Sequence, residues 1–222
     1  MNLVEKFNNV RNELPLNVRL VAVSKFHPVE TIQQVYDAGQ RIFGESKVQE
    51  LSDKYDVLPK DIEWHFIGHL QTNKVKYIIP YISLIHSIDS IKLLEEVNKC
   101  ASKAGKIINV LLQIHIAEED TKYGFSKSEC LDFLNSGISQ NFKNINICGL
   151  MGMATFTDNT SQIKTEFSGL ASFFQSVKQA YFQNDDNFRE LSIGMSDDYP
   201  IAIECGSTLV RIGSKIFGER IY

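Results

Sequence analysis

A chain of 222 residues with 43% hydrophobic and 23% charged side chains carries enough apolar material for one large domain. Its formal net charge of -4 and its lack of a basic stripe exclude nucleic acid as an expected partner. The four cysteines, Cys100, Cys130, Cys148 and Cys205, form no CxxC pair, which argues against a zinc site or a disulfide framework and for a reduced compartment.

The N-terminal stretch MNLVEKFNNVRNEL is charged early and lacks the apolar core of a signal peptide. Leu3, Phe7, Val10 and Leu14 instead fall on one stripe of an amphipathic helix. The longest greasy stretch, YIIPYISLI at 77–85, is broken by Pro80 and too short to span a bilayer. The expectation is a soluble, cytoplasmic chain with no membrane partner, organised as one domain over residues 1–222.

Strand candidates follow in chain order as near-continuous apolar runs, the form taken by strands buried on both faces. They are RLVAVSK (19–25), RIFGE (41–45), EWHFIG (63–68), SLIHSID (83–89), INVLLQIHI (108–116), INICGLMGM (145–153), FRELSIG (188–194) and LVRIGSKIF (209–217). Helical patterns lie between them. Pro28 opens one and Gly39 closes it. Ile91, Leu94 and Val97 mark a second, in the segment ending at Gly105, and Ser126 with Glu129 forms a capping box ahead of a third. Ile163, Phe167, Leu170, Phe174, Val177 and Tyr181 make the clearest stripe of all. Repeated βα units demand a parallel sheet, and about eight of them favour an α/β fold of the (β/α)8 barrel type over an open doubly wound sheet.

In such a barrel the working groups project from the C-terminal ends of the strands. Lys25 stands at the end of the first. Its stem is either snorkelling along the rim, or its amine is desolvated in an apolar mouth and nucleophilic. The stretches SIGMSDD (192–198) and VRIGSKIFGER (210–220) place Ser196, Gly213 and Ser214 after the last two strands, where barrels commonly bind phosphate; ordinary βα turns are the alternative. Arg211 sits inside an apolar strand and needs a partner, either Glu204, Glu219 or a ligand. His65, His69, His86 and His115 are scattered over separate strands without carboxylates at metal spacing, so they read as packed or hydrogen-bonded residues.

The ordered set AVSKFHP, FGESKVQE, EWHFIGHLQTNK, IHSID, EEDTKYGF, GLMGMA and LSIGMSDDYPIAIECGSTLVRIGSKIFGER resembles the pyridoxal phosphate homeostasis protein family over residues 19 to 220. Members of that family are single barrels similar to the N-terminal domain of alanine racemase. The resemblance implies that Lys25 forms a Schiff base with pyridoxal 5′-phosphate (PLP). It further implies that Ser196, Gly213 and Ser214 hold the phosphate and that Arg211 faces the pyridine nitrogen. Arginine is effectively always protonated, which would leave that nitrogen without a proton and the ring a poor electron sink. Ser46 departs from the family's usual asparagine.

Two classes of function follow. One is a non-enzymatic carrier that buffers PLP or delivers it to apo-enzymes, expected as a monomer with no metal. The other is an amino-acid racemase, which needs a base on each face of the substrate. Alanine racemases bring the second base from an added domain, for which a chain ending at Tyr222 leaves no room; Tyr199 is a substitute in principle. A barrel enzyme acting on a phosphorylated metabolite, with Lys25 working without cofactor, is a third reading. The carrier is the expectation.

Overall fold

The eight apolar runs close on themselves. The computed structural model describes residues 1–119 and 123–218. In it β1 (Arg19–Val23), β2 (Ile42–Glu45), β3 (Glu63–Phe66), β4 (Ile82–Ile88), β5 (Ile108–Gln113), β6 (Ile145–Met151), β7 (Glu190–Ser192) and β8 (Leu209–Ile212) form one barrel in sequence order. Neighbours pair in parallel throughout, and β8 returns to β1 with Val21 opposite Arg211 and Ala22 opposite Ile212. Closure sets aside the open sheet.

A helix α1 (Leu3–Glu13) precedes the barrel, started by a capping box between Asn2 and Glu5. One helix then follows each strand: α2 (Val29–Asp37), α3 (Val48–Val57), α4 (Val75–Ile78), α5 (Ile91–Lys103), α6 (Lys127–Asn135), α7 (Thr160–Tyr181), α8 (Tyr199–Glu204) and α9 (Ser214–Phe217). The Ser126–Glu129 capping box is present at the start of α6, and the α7 stripe from Ile163 to Val177 is buried.

Two apolar layers result. The larger lies between strands and helices and includes Phe7, Trp64, Phe133 and Phe167. The smaller fills the barrel itself with Val21, Leu84, Leu111, Cys148, Met151 and Leu209. Above that plug the inward positions turn polar, with His65, His86, Ser192 and Arg211 all buried.

The strands end earlier than the apolar runs. Ser24 and Lys25 lie in the loop after β1, and residues 214–217 form α9 rather than extending β8. The Gly213 carbonyl accepts from the N–H groups of Ile216 and Phe217, so SKIF turns back as a helix despite its strand-like composition. All four cysteines carry free thiols. Burial pushes Cys130 up to about 12 and Cys148 up to about 11, which keeps both protonated and unreactive at neutral pH. Among the described residues no helix is long and apolar enough to cross a membrane.

Candidate functional site

The C-terminal mouth of the barrel has two sides. On the first, Lys25 is half-buried just beyond β1, and Phe26 after it adopts left-handed backbone with φ 67°. Beneath this turn lies a buried charged group. Ser24 Oγ and Lys54 Nζ both donate to Glu45 Oε1, at 2.7 and 2.6 Å, and Lys54 also reaches Glu50 at 2.7 Å. Glu45 ends β2, while Glu50 and Lys54 lie on α3.

On the second side, Met195 N–H donates to Asp198 Oδ1 at 2.5 Å and closes the turn that carries Ser196. Ser196 Oγ accepts from Gly213 N–H at 3.2 Å, so the loops after β7 and β8 touch at the residues expected to hold phosphate. Having accepted there, the Ser196 hydroxyl keeps its own proton to donate. Gly213 suits the close approach, since a Cβ would sit tightly, 3.1 Å from the Val23 carbonyl oxygen and 3.3 Å from Val23 Cβ. Ser214 is exposed at the start of α9, whose opening turn leaves backbone N–H groups without intrahelical acceptors. His27 stacks on Phe217 with centroids 4.9 Å apart, tying the loop that holds Lys25 to α9.

Arg211, on β8, is buried, and of its two expected carboxylate partners Glu204 does not meet it. Glu204 points outward to Lys164 at 3.0 Å, and Glu219 lies outside the described residues. The Arg211 guanidinium donates instead to Ser192 O at 2.8 Å, Ser192 Oγ at 2.6 Å and Gly152 O at 3.1 Å. A guanidinium has about five N–H donors. The remaining ones, Nε–H included, have no protein acceptor among the described residues. Burial lowers its pKa to about 10, with Asp198 pulling the other way, so Arg211 is still a cation at neutral pH.

The chain of hydrogen bonds continues into the barrel. Ser192 Oγ meets His86 Nδ1 at 2.9 Å, and His86 Nε2 meets His65 Nδ1 at 2.9 Å. Burial holds His65 down to about 3 and His86 well below the usual imidazole value, so both rings are neutral. Neutral rings are what a buried cation next door favours. His69 lies at the rim, 2.9 Å from Asp89 and stacked on Tyr123, and His115 meets the Glu119 carbonyl oxygen at 3.1 Å. The histidines are thus hydrogen-bonded residues, as their scatter over the strands suggests.

Tyr199, the candidate second base, is buried and gives its hydroxyl to Glu13 on α1. Burial and the Glu13 charge push it up to about 12, which opposes forming a phenolate.

Glu45, Glu50, Lys54, His65, His86 and Ser192 complete the mouth and were not singled out as site residues in the sequence. One signal for Lys54 was available. Val48, Leu51, Tyr55 and Leu58 form a helical stripe, and Lys54 falls among them where an apolar residue is due.

Glu45 supports a pH prediction. Burial, opposed by Lys54 and Ser24, pushes its carboxyl from 4.5 up to about 7. Between those values the folded chain holds a proton that the unfolded chain has released, so this contribution is complete below about 4.5 and lost as pH rises through about 7. His65 and His86 act in the opposite sense, favouring the fold as pH rises. Subtracting the Tm–pH profile of Glu45→Gln from that of the wild type isolates the glutamate. The difference should fall across that window, and a flat difference contradicts the assignment.

Comparison with known proteins gives a consistent picture. The family model described as "Alanine racemase, N-terminal domain" matches residues 2–221. The pyridoxal phosphate homeostasis protein of Pasteurella multocida is 41% identical over 208 residues, covering 92% of this chain and 88% of that one. PipY of Synechococcus elongatus, solved without PLP, superposes with a TM-score of 0.92 at 34% identity, covering 98% of this chain and 100% of that chain. PipY with PLP bound gives 0.86 at 33% identity, with the same coverage. The chain belongs to the pyridoxal phosphate homeostasis protein family, built on the barrel of the alanine racemase N-terminal domain.

Proposed function

We propose that this protein binds pyridoxal 5′-phosphate and serves intracellular PLP homeostasis by holding the cofactor and releasing it to apo-enzymes, without robust catalysis of its own. The observation that carries the reading is Arg211, a buried cation at the barrel mouth with donors left over and, among the described residues, no carboxylate hydrogen-bonded to it. An acceptor entering the mouth would use those donors, and a pyridine nitrogen is one. The donor set on the other loops fits the phosphate: the Ser196 hydroxyl, the Gly213 cradle and the opening turn of α9 at Ser214.

In this reading Lys25 is the covalent anchor, Ser196, Gly213 and Ser214 hold the phosphate, and Arg211 faces the ring nitrogen. When bound, PLP supplies an aldehyde carbon that takes an amine and a ring that can accept electrons. Arg211 keeps its own protons and so leaves the ring nitrogen unprotonated, which weakens that second property. Ser192 and His86 hold Arg211 in place, because both acceptors on Ser192 lie on β7 and cannot follow solvent. Tyr199, committed to Glu13, supplies no second base, which supports the carrier over the racemase.

The test adds PLP to the cofactor-free protein and follows the visible spectrum by titration, then adds L-alanine in deuterated water. Stoichiometric colour with no exchange of the alanine α-proton is expected. Exchange at the rate of PLP-dependent racemases would replace the carrier with an enzyme. A chain that takes up no PLP would overturn the whole reading.

A further inference from the structure

Both peptide groups that flank the Lys25 Cα are held from α3. On one side Ser24 C=O accepts from Lys54 Nζ at 2.8 Å. On the other, Phe26 N–H donates to Glu50 Oε1 at 2.5 Å. Glu50 and Lys54 pair with each other at 2.7 Å, one turn apart with the glutamate N-terminal to the lysine, which is the favourable order on a helix. Lys54 is in turn fixed to Glu45 at 2.6 Å, and Glu45 to Ser24 Oγ at 2.7 Å. The two α3 side chains therefore form a bracket that closes around one residue.

The bracket sits where the backbone most needs holding. Phe26 is the one non-glycine residue with positive φ among the described residues. An aromatic side chain disfavours that region, and such a turn persists only where its surroundings over-determine it. Lys47 Nζ, 4.6 Å from the centre of the Phe26 ring, steadies the side chain as well. The Lys54–Glu45 pair that anchors the bracket is buried and so largely shielded from solvent screening.

We propose that Glu50 and Lys54 are positioning residues. They fix the backbone direction of Lys25 before any cofactor arrives, so that a flexible four-carbon stem starts from a set Cα–Cβ vector and aims its amine into the mouth. The ordering cost of binding is thereby met in the fold rather than at the moment of association. The proposal rests on the reading of Lys25 as the PLP anchor.

The test uses Glu50→Ala, which removes the acceptor for Phe26 N–H, and Glu50→Gln, which keeps an acceptor of the same reach. Two quantities are read on the folded full-length chain, well below its Tm. The first is hydrogen exchange of the Phe26 amide in the absence of PLP. The second is the PLP dissociation constant from the visible spectrum. For Glu50→Ala, Phe26 exchange should quicken by about tenfold or more and PLP binding weaken by about tenfold, the scale of one lost charge-assisted hydrogen bond. Glu50→Gln should stay within about threefold of wild type on both counts. A merely structural role for Glu50 lowers Tm in both variants and leaves PLP affinity of the folded chain unchanged.

The proposal is overturned if folded Glu50→Ala binds PLP as tightly as wild type. It is overturned equally if the Phe26 amide of the wild-type chain exchanges at the rate of an unprotected turn. Failure of the cofactor reading looks different, since wild type and variants then all fail to bind PLP. Failure of the bracket alone leaves wild-type binding intact.

Discussion

Lys25→Ala is expected to bind PLP at least about a hundredfold more weakly than the wild-type chain, a loss of about 2.7 kcal/mol, and to give no adduct on borohydride reduction. The substitution removes the amine and leaves the rest of the mouth in place. Ser196 and Gly213, on the loops after β7 and β8, bond each other, and Arg211, on β8, bonds Ser192 and Gly152, all without Lys25. The Glu50–Lys54 bracket holds main-chain atoms of Ser24 and Phe26, which alanine at position 25 preserves. Global stability should therefore change by less than about 1 kcal/mol, as for a half-buried lysine outside the core. Residual binding then reports the phosphate and ring contacts alone. Equal affinity in wild type and variant, measured by equilibrium dialysis, would show that the amine contributes nothing.

The second large effect concerns the barrel itself. Gly149 lies on β6 with φ 151°, and a Cβ there would fall 1.8 Å from the Glu190 carbonyl oxygen and 2.7 Å from its carbon. The atoms in the way are backbone of β7, which cannot swing aside as a side-chain tip does. Gly149→Ala must therefore break the pairing of Gly149 with Glu190 and push β7 away from β6. That strand also carries Ser192, the support of Arg211. A destabilisation of about 4 kcal/mol or more is expected, read as a Tm fall of roughly 8–16 °C or as insoluble protein. A Tm within about 2 °C of wild type would mean that the strands separate at little cost.

Much of the fold was legible because the barrel strands are buried on both faces. Runs such as INVLLQ and INICGLM have no polar side to confuse with a helix, and their order fixed the βα repeat. Strand ends were less legible. SKIF has strand-like composition, yet the Gly213 carbonyl accepts from the Ile216 and Phe217 N–H groups and the chain turns into a short helix, a matter of backbone geometry that residue types do not announce. The stripe of α3 is harder to read, because Lys54 interrupts it with a charge.

The site divides along the same line. Lys25, Ser196, Arg211, Gly213 and Ser214 stand at strand ends, where sequence reasoning looks for function, and the structure brings Ser196 and Gly213 into contact. The partners of Arg211 were not legible. A charged residue in an apolar strand suggests a carboxylate, whereas Arg211 is held by a serine and two main-chain carbonyls, groups that every chain has in excess. The left-handed turn at Phe26 was equally hidden, since positive φ is written into a sequence only when glycine or asparagine marks it. What holds that turn comes from α3, some twenty-four residues away along the chain.

Whether the Lys25 amine carries the cofactor is decided by where PLP becomes covalently fixed. Wild-type protein is loaded with PLP, reduced with borohydride, digested and mapped by mass. One pyridoxyl modification is expected, on the peptide that contains Lys25. Modification confined to another lysine near the mouth, such as Lys47, Lys54 or Lys215, or bound PLP that borohydride fixes to no lysine, would contradict it.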